Sequence, residues 1–77
     1  MVDKWELQEQ IIEVLSNSDL EWMSTKQIFN ELANVYNTHV TMQHLRARLN
    51  NLANHSDVES RSEGIKGNRT HYWRVLA

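Results

Sequence analysis

The spacing of apolar residues changes near residue 57, and this change constrains the fold more than any other feature of the chain. From Lys4 to Asn54 apolar residues recur every three or four positions, which is typical of amphipathic helices. In Val58–Arg61 and His71–Val75 they alternate with polar residues and include β-branched and aromatic types, which indicates strands. A chain of 77 residues has room for one core, so helices and strands must share it.

Three helices are predicted, over residues 4–16, 25–36 and 42–54. Ser24 and Gln27 match a capping box at the start of the second helix, and Thr41 is expected to cap the third. Asn37 tolerates the left-handed backbone conformation that a glycine would otherwise supply in the turn. The residues expected to face the core are Leu7, Ile11, Val14, Leu15, Ile28, Phe29, Leu32, Val35, Leu45, Leu49 and Leu52, joined by Trp22 and Trp73.

The C-terminal part is expected to form two strands within residues 58–76. Gly64 and Gly67 fall in a segment of about nine residues that predicts a loop too long for a tight hairpin. Residues 20–23 predict a brief strand or an extended segment leading into the second helix. The predicted fold class is α+β, mainly α, with three helices, a C-terminal β-hairpin and a single domain over residues 1–77.

Composition argues against several functional classes. Without cysteine the chain has no disulfide, thiol nucleophile or cysteine zinc site, and the spacing of its four histidines does not suit a metal. No serine elbow or glycine-rich phosphate loop is present, so we expect no enzyme, no cofactor and no small-molecule substrate. No apolar run approaches a membrane span and the polar start is not a signal peptide, so a cytoplasmic location without membrane contact is expected.

Charge is divided unevenly along the chain, although the net charge is −2. Residues 1–36 carry two lysines against seven acidic residues, whereas residues 37–77 carry six basic residues against three acidic ones. This asymmetry either arises by chance or presents a basic face to phosphates while an acidic face limits non-specific binding.

The third predicted helix has a polar side opposite its leucines. At 100° per residue, Gln43, Ala47 and Asn50 point away from Leu45, with Arg46 on one flank and His44 on the other. Amides and guanidinium groups read base edges, and a small residue allows close approach to the groove floor. The alternative is an ordinary solvated helix face.

Further cations lie near the predicted hairpin tip and at the start of the second helix. Lys66, Arg69 and His71 surround the two glycines, and Arg61 and Arg74 are expected to flank the same strip. A flexible solvated tip is the alternative. Residues 25–26 (Thr25 and Lys26) begin the second helix, whose free N–H groups suit a phosphate.

Two large apolar residues of the first helix, Trp5 and Ile12, share a face rotated away from Leu7 and Ile11. They predict either a core that wraps around the helix or a self-association patch, and we favour a homodimer.

Several segments resemble winged helix-turn-helix DNA-binding domains, particularly small bacterial or phage regulators of the PapI type. The resemblance lies in Glu31-Leu32-Ala33, Val40-Thr41, residues 45–52 with Val58, and residues 69–75. The turn before Thr41 is about two residues longer than in the family. Arg48 occupies a position where the family usually has an apolar residue. We therefore expect the aliphatic part of its side chain to pack at the edge of the core and its guanidinium group to lie in water.

The resemblance implies sequence-specific binding of double-stranded DNA by a transcriptional regulator. The third helix is expected in the major groove and the wing, as the C-terminal hairpin is called in this family, on the backbone or in the minor groove. In the family, the groove-entering positions correspond to Met42, Gln43, Arg46, Ala47 and Asn50.

The alternative function is a winged-helix module that binds another protein, such as a co-regulator, and does not contact DNA. It is favoured by the net negative charge, by the pair Trp5 and Ile12, and by Lys26 being the single cation of the second helix.

Overall fold

A computed structural model describes residues 4–55, 57–65 and 67–76, with only the backbone of Lys4 and Trp5. The elements in chain order are α1 (Lys4–Asn17), β1 (Met23–Ser24), α2 (Thr25–Val35), α3 (Met42–Asn54), β2 (Val58–Ile65) and β3 (Asn68–Val75). The strands form one antiparallel sheet in the order β1-β3-β2. This confirms the expected class, α+β and mainly helical, and the arrangement agrees with a winged-helix topology. No helix in the described part is long and apolar enough to cross a membrane.

The predicted caps of α2 and α3 are confirmed. The Ser24 hydroxyl accepts a hydrogen bond from the Gln27 amide, and the Gln27 side chain accepts one from the Ser24 amide. The Thr41 hydroxyl accepts a hydrogen bond from the His44 amide at 3.0 Å. These bonds satisfy N–H groups that the first turn of a helix leaves without intrahelical partners, so both helices begin where the sequence predicts.

The turn between α2 and α3 is fixed to α1. Asn37 adopts the expected left-handed conformation with φ of 53°, and the Thr38 amide then donates to the Leu32 carbonyl at 2.8 Å. Thr38 is buried, and its hydroxyl donates to the Gln10 side chain on α1 at 2.6 Å. The turn therefore brings a buried threonine into contact with α1.

One core lies where the helices meet the sheet. Its members come from all three helices and all three strands: Leu7, Ile11, Val14, Leu15, Met23, Ile28, Leu32, Leu45, Leu49, Leu52, Val58 and Trp73. Phe29 packs against this core and is half-buried. The predicted apolar faces of α1 and α3 are confirmed in full.

Two residues expected in the core lie elsewhere. Val35 is 64% exposed, because it ends α2 at a point that the loop between α1 and β1 does not cover. Trp22 is half-buried and outside the core cluster. Its neighbour Met23 pairs with Trp73 and faces inward, so strand alternation turns Trp22 to the opposite side of the sheet.

The C-terminal hairpin, β2 and β3, is more regular than predicted. Its ladder runs from Val58 paired with Val75 to Ile65 paired with Asn68, so the expected nine-residue loop is wrong. Polar composition suggested a loop, but a hydrogen-bonded ribbon does not need apolar side chains when both faces are exposed. Gly64 and Gly67, with φ of 120° and 86°, supply the backbone conformations at its tip.

A buried hydrogen bond joins the hairpin to α2. The indole Nε1 of Trp73 donates to the Thr25 hydroxyl at 2.9 Å, and both residues are buried. Trp73 is opposite Ser60 on β2 and Met23 on β1, at the centre of the sheet. The bond satisfies an N–H group that would otherwise be buried without a partner.

We predict that Thr25→Val destabilises the protein by about 1–3 kcal/mol, because valine keeps the shape of threonine but leaves the indole N–H unpaired. Thr25→Ser, which keeps the hydroxyl, is the matched control and should lose less. Urea unfolding followed by tryptophan fluorescence measures both variants. A valine variant as stable as the wild type would show that the bond contributes no net stability.

Candidate nucleic-acid interface

The polar face of α3, defined here as Gln43, His44, Arg46, Ala47 and Asn50, is exposed over its whole length. It is exposed because Leu45, Leu49 and Leu52 are buried on the opposite side of the same helix. The helix contains no aspartate or glutamate. It therefore presents two side-chain amides and a guanidinium group to solvent without a carboxylate of its own to compete for them.

The residues at the start of α3 are placed differently from the polar face. Thr41 is exposed, but its hydroxyl oxygen serves as the helix cap. Met42 is half-buried. Thr41 and Met42 therefore border the polar face and contribute less free surface to it.

Two of the predicted hairpin cations share one face of β3. Arg69 and His71 are exposed, and alternation places them on the side of Trp73, which is the inner sheet face that packs on the helices. The His71 and Trp73 ring centroids are 6.4 Å apart. Lys66 lies outside the described residues.

The start of α2 lies beside this inner face, because Thr25 bonds to Trp73. The phosphate contact predicted for the free N–H groups of this helix start stays a prediction, but the Thr25 side chain is not available for it, since Thr25 is 7% exposed and its hydroxyl is engaged by the indole. Lys26 is exposed, and the capping box occupies the Gln27 amide. Lys26 therefore remains the cation available at this helix end.

The expectation that Arg61 and Arg74 flank the same cationic strip is wrong. Cross-strand pairing with Tyr72 and Glu59 places them on the outer sheet face, opposite the side of Trp73. Arg74 binds Glu59 at 2.7 Å and Glu21 at 2.9 Å, and Arg61 binds Glu63 at 3.0 Å. Carboxylates therefore offset both positive charges locally.

Trp22 lies between these two arginines, a contact that the sequence interpretation missed. The guanidinium carbons of Arg61 and Arg74 are each 4.6 Å from its ring centroid, and Arg61 is also 5.8 Å from that of Tyr72. Such stacking stabilises a cation on an aromatic face by about 0.5–1 kcal/mol at exposed sites. The sequence could have indicated this position: if Met23 faces the core in a strand, alternation places the preceding Trp22 on the opposite face of the sheet.

Arg48 is half-buried, as its predicted position at the core's edge implies. Its Nε atom, however, is buried without a hydrogen-bond partner in the described part of the chain. The expectation that the whole charged head lies in water is therefore wrong for this atom.

The predicted dimer pair is described only in part. Ile12 is half-buried and packs against the core, as the alternative of a wraparound core requires. The Trp5 side chain lies outside the described residues. Self-association through this pair stays a prediction.

Titratable groups in the described residues form no group of three or more that could hold a metal ion. One pKa shift is resolved among them: desolvation raises the pKa of Tyr36, together with a hydrogen bond to Glu13 and the charges of Glu13 and Glu31. Tyr36 lies at the end of α2, away from the polar face of α3.

Comparison with known proteins gives no match: no family profile, curated protein or solved structure matches the chain. Its function is therefore inferred from the surface of the protein itself.

We predict that Gly64→Ala distorts the hairpin at a cost of about 1–3 kcal/mol. A Cβ at this position would lie 2.5 Å from the Asn68 carbonyl oxygen, at a φ of 120° that side chains disfavour. Gly67→Asn is the matched control, because nothing lies within 4 Å of a Cβ there and asparagine tolerates a positive φ. Hydrogen exchange of the Thr70 and Tyr72 amides should accelerate in Gly64→Ala and change little in Gly67→Asn; equal rates in both variants would contradict the prediction.

Proposed function

We propose that the protein is a small transcriptional regulator that binds double-stranded DNA in a sequence-specific manner. In this proposal α3 enters the major groove, and the hairpin lies on the backbone or in the minor groove. The observation that carries it is the exposed polar face of α3, which has no acidic residue and lies opposite three buried leucines. As a bacterial or phage regulator it would act in the cytoplasm, by occupying a site and without catalysis.

The polar face of α3 suits direct reading of base edges. Arg46 matches the O6 and N7 acceptors of guanine, and Gln43 and Asn50 match the donor and acceptor pair of adenine. Ala47 lies between them and leaves room for the helix to approach the groove floor. The helix has 13 residues and is therefore about 20 Å long, so its N-terminal half is long enough to contact several base pairs.

The remaining cations suit contacts that position the protein without reading sequence. Arg69 and His71 project from the inner sheet face, and Lys26 begins the helix that Thr25 ties to that face. Contacts of this kind go to phosphate oxygens. The exposed acidic side chains Glu6 and Glu9 of α1 carry the opposite charge and would repel DNA that approaches from the wrong side.

A protein-interaction module remains the second candidate, and one observation favours it. Arg61 and Arg74 belong to the basic half of the chain, yet both are paired with carboxylates on the outer sheet face. The cationic surface left for DNA is therefore smaller than the sequence suggested.

A selection of bound duplexes from a random pool tests the proposal without assuming a target sequence. We expect one enriched motif. Lys26, Lys66 and Arg69 allow about three phosphate contacts per copy, so affinity should fall roughly 40-fold between about 50 and 200 mM salt. Failure to bind any duplex at low salt, as monomer or dimer, would refute the proposal and leave the protein-interaction module.

We predict that Arg46→Ala weakens binding to the enriched duplex by about 1–3 kcal/mol and relaxes the preference at one base pair. Arg61→Ala is the control, because it removes the same charge from the outer sheet face. Fluorescence anisotropy gives both affinities, and a thermal melt confirms that each variant is folded. Equal losses in the two variants would mean that charge alone, and not the face of α3, governs binding.

A further inference from the structure

A cleft lies between the end of α1, the loop that follows it and one flank of α2. Its volume is about 660 Å³, within the range of about 300–1,000 Å³ typical of ligand sites. Val14 and Met23, both buried core residues, form its floor. No residue of α3, β2 or β3 lines it, so the cleft is separate from the proposed DNA surface.

Exposed apolar side chains stand on two walls of this cleft. Leu20, on the loop, is 50% exposed, and Val35, on α2, is 64% exposed. In the described part of the chain, the other exposed large apolar residues are Ile65 and Leu76, and neither lines the cleft. An exposed apolar cluster above an apolar floor is typical of an interaction site.

The charges around the cleft have one sign. Asp19 and Glu31 line it, and its described lining contains no lysine or arginine. The pKa of Tyr36, another lining residue, is raised by desolvation and by the nearby charges of Glu13 and Glu31, which is consistent with a negative local potential. A ligand that fills this cleft should therefore be apolar at its centre and positively charged at its edges.

We propose that the cleft binds an amphipathic helical segment of another protein, with apolar residues on one face flanked by lysine or arginine. Recognition would place side chains at positions i, i+3 and i+4 of that segment between Leu20 and Val35. Asp19 and Glu31 would meet the flanking cations. Asn17 and Asn30 line the same cleft and offer amides to the rim of the complex.

A second copy of this chain is a poor occupant. Its α1 is acidic, its α2 carries one lysine against one glutamate, and α3, which is basic, uses its apolar stripe in the core. DNA is excluded by the sign of the charge. The segment therefore belongs to a different protein, and this inference holds whether or not α3 binds DNA.

The probe is a 16-residue helical peptide of leucine and lysine, with leucines at helical spacing, titrated into the isotope-labelled full chain. We expect amide shifts confined to the segments that line the cleft, which are residues 14, 17–20, 23, 27 and 30–36. The same peptide with glutamate in place of lysine should not bind. Shifts spread over other surfaces, no shifts at millimolar peptide, or equal binding of the glutamate peptide would overturn the proposal.

Three variants assign the binding to the cleft. Val35→Ser and Leu20→Ser should each weaken peptide binding about tenfold, because each removes an apolar contact from an exposed position. Ile65→Ser is the matched control and should bind the peptide as the wild type does, since this exposed residue lies at the hairpin tip. Unchanged affinity in both cleft variants would overturn the assignment. Amide shifts of the cleft residues that depend on protein concentration in the absence of peptide would also overturn it, because they would mark a self-association site.

Peptide binding and DNA binding are separable in this design. Arg46→Ala should leave peptide affinity unchanged, and Val35→Ser should leave affinity for the enriched duplex unchanged. If the protein binds no DNA, the peptide titration still decides the proposal for the cleft.

Discussion

The buried indole of Trp73 determines the direction of every other side chain in the hairpin. Its hydrogen bond to Thr25 and its pairing with Met23 fix one face of β3 against the helices. Because side chains alternate between the two faces along a strand, Arg69 and His71 lie on the inner face with Trp73. Arg61 and Arg74 lie on the outer face. A shift of one residue in this register would exchange the free cations for those paired with carboxylates.

The helical part of the fold could be predicted because its signals are local. The leucine stripe of α3 defines the buried side by spacing alone, and the polar face follows as its opposite. The caps at Ser24 and Thr41 are likewise set by residues three positions apart. Predictions of this kind do not depend on where the neighbouring elements lie.

The remaining features depend on contacts between elements distant in sequence. Thr25 was predicted only as the first residue of α2, but Trp73, 48 residues later, holds its hydroxyl in the core. Trp22 was expected in the core, but the strand partner of Met23 turns it outward between two arginines. The cleft beside Val35 lies between α2 and the loop that follows α1, and no spacing rule encodes where such a loop packs.

The two strands that flank β3 differ greatly in length. β1 pairs with β3 only at Tyr72 and Trp73, whereas β2 pairs with all eight residues of β3. Beyond Tyr72, towards its tip, the hairpin is held only by its own ladder, and Arg69 lies about 10 Å from Tyr72 along the strand. A change of about 10° in strand twist, small against the natural range, moves Arg69 by about 2 Å. The far end of the hairpin can therefore change position while α3 keeps its place in the body of the protein.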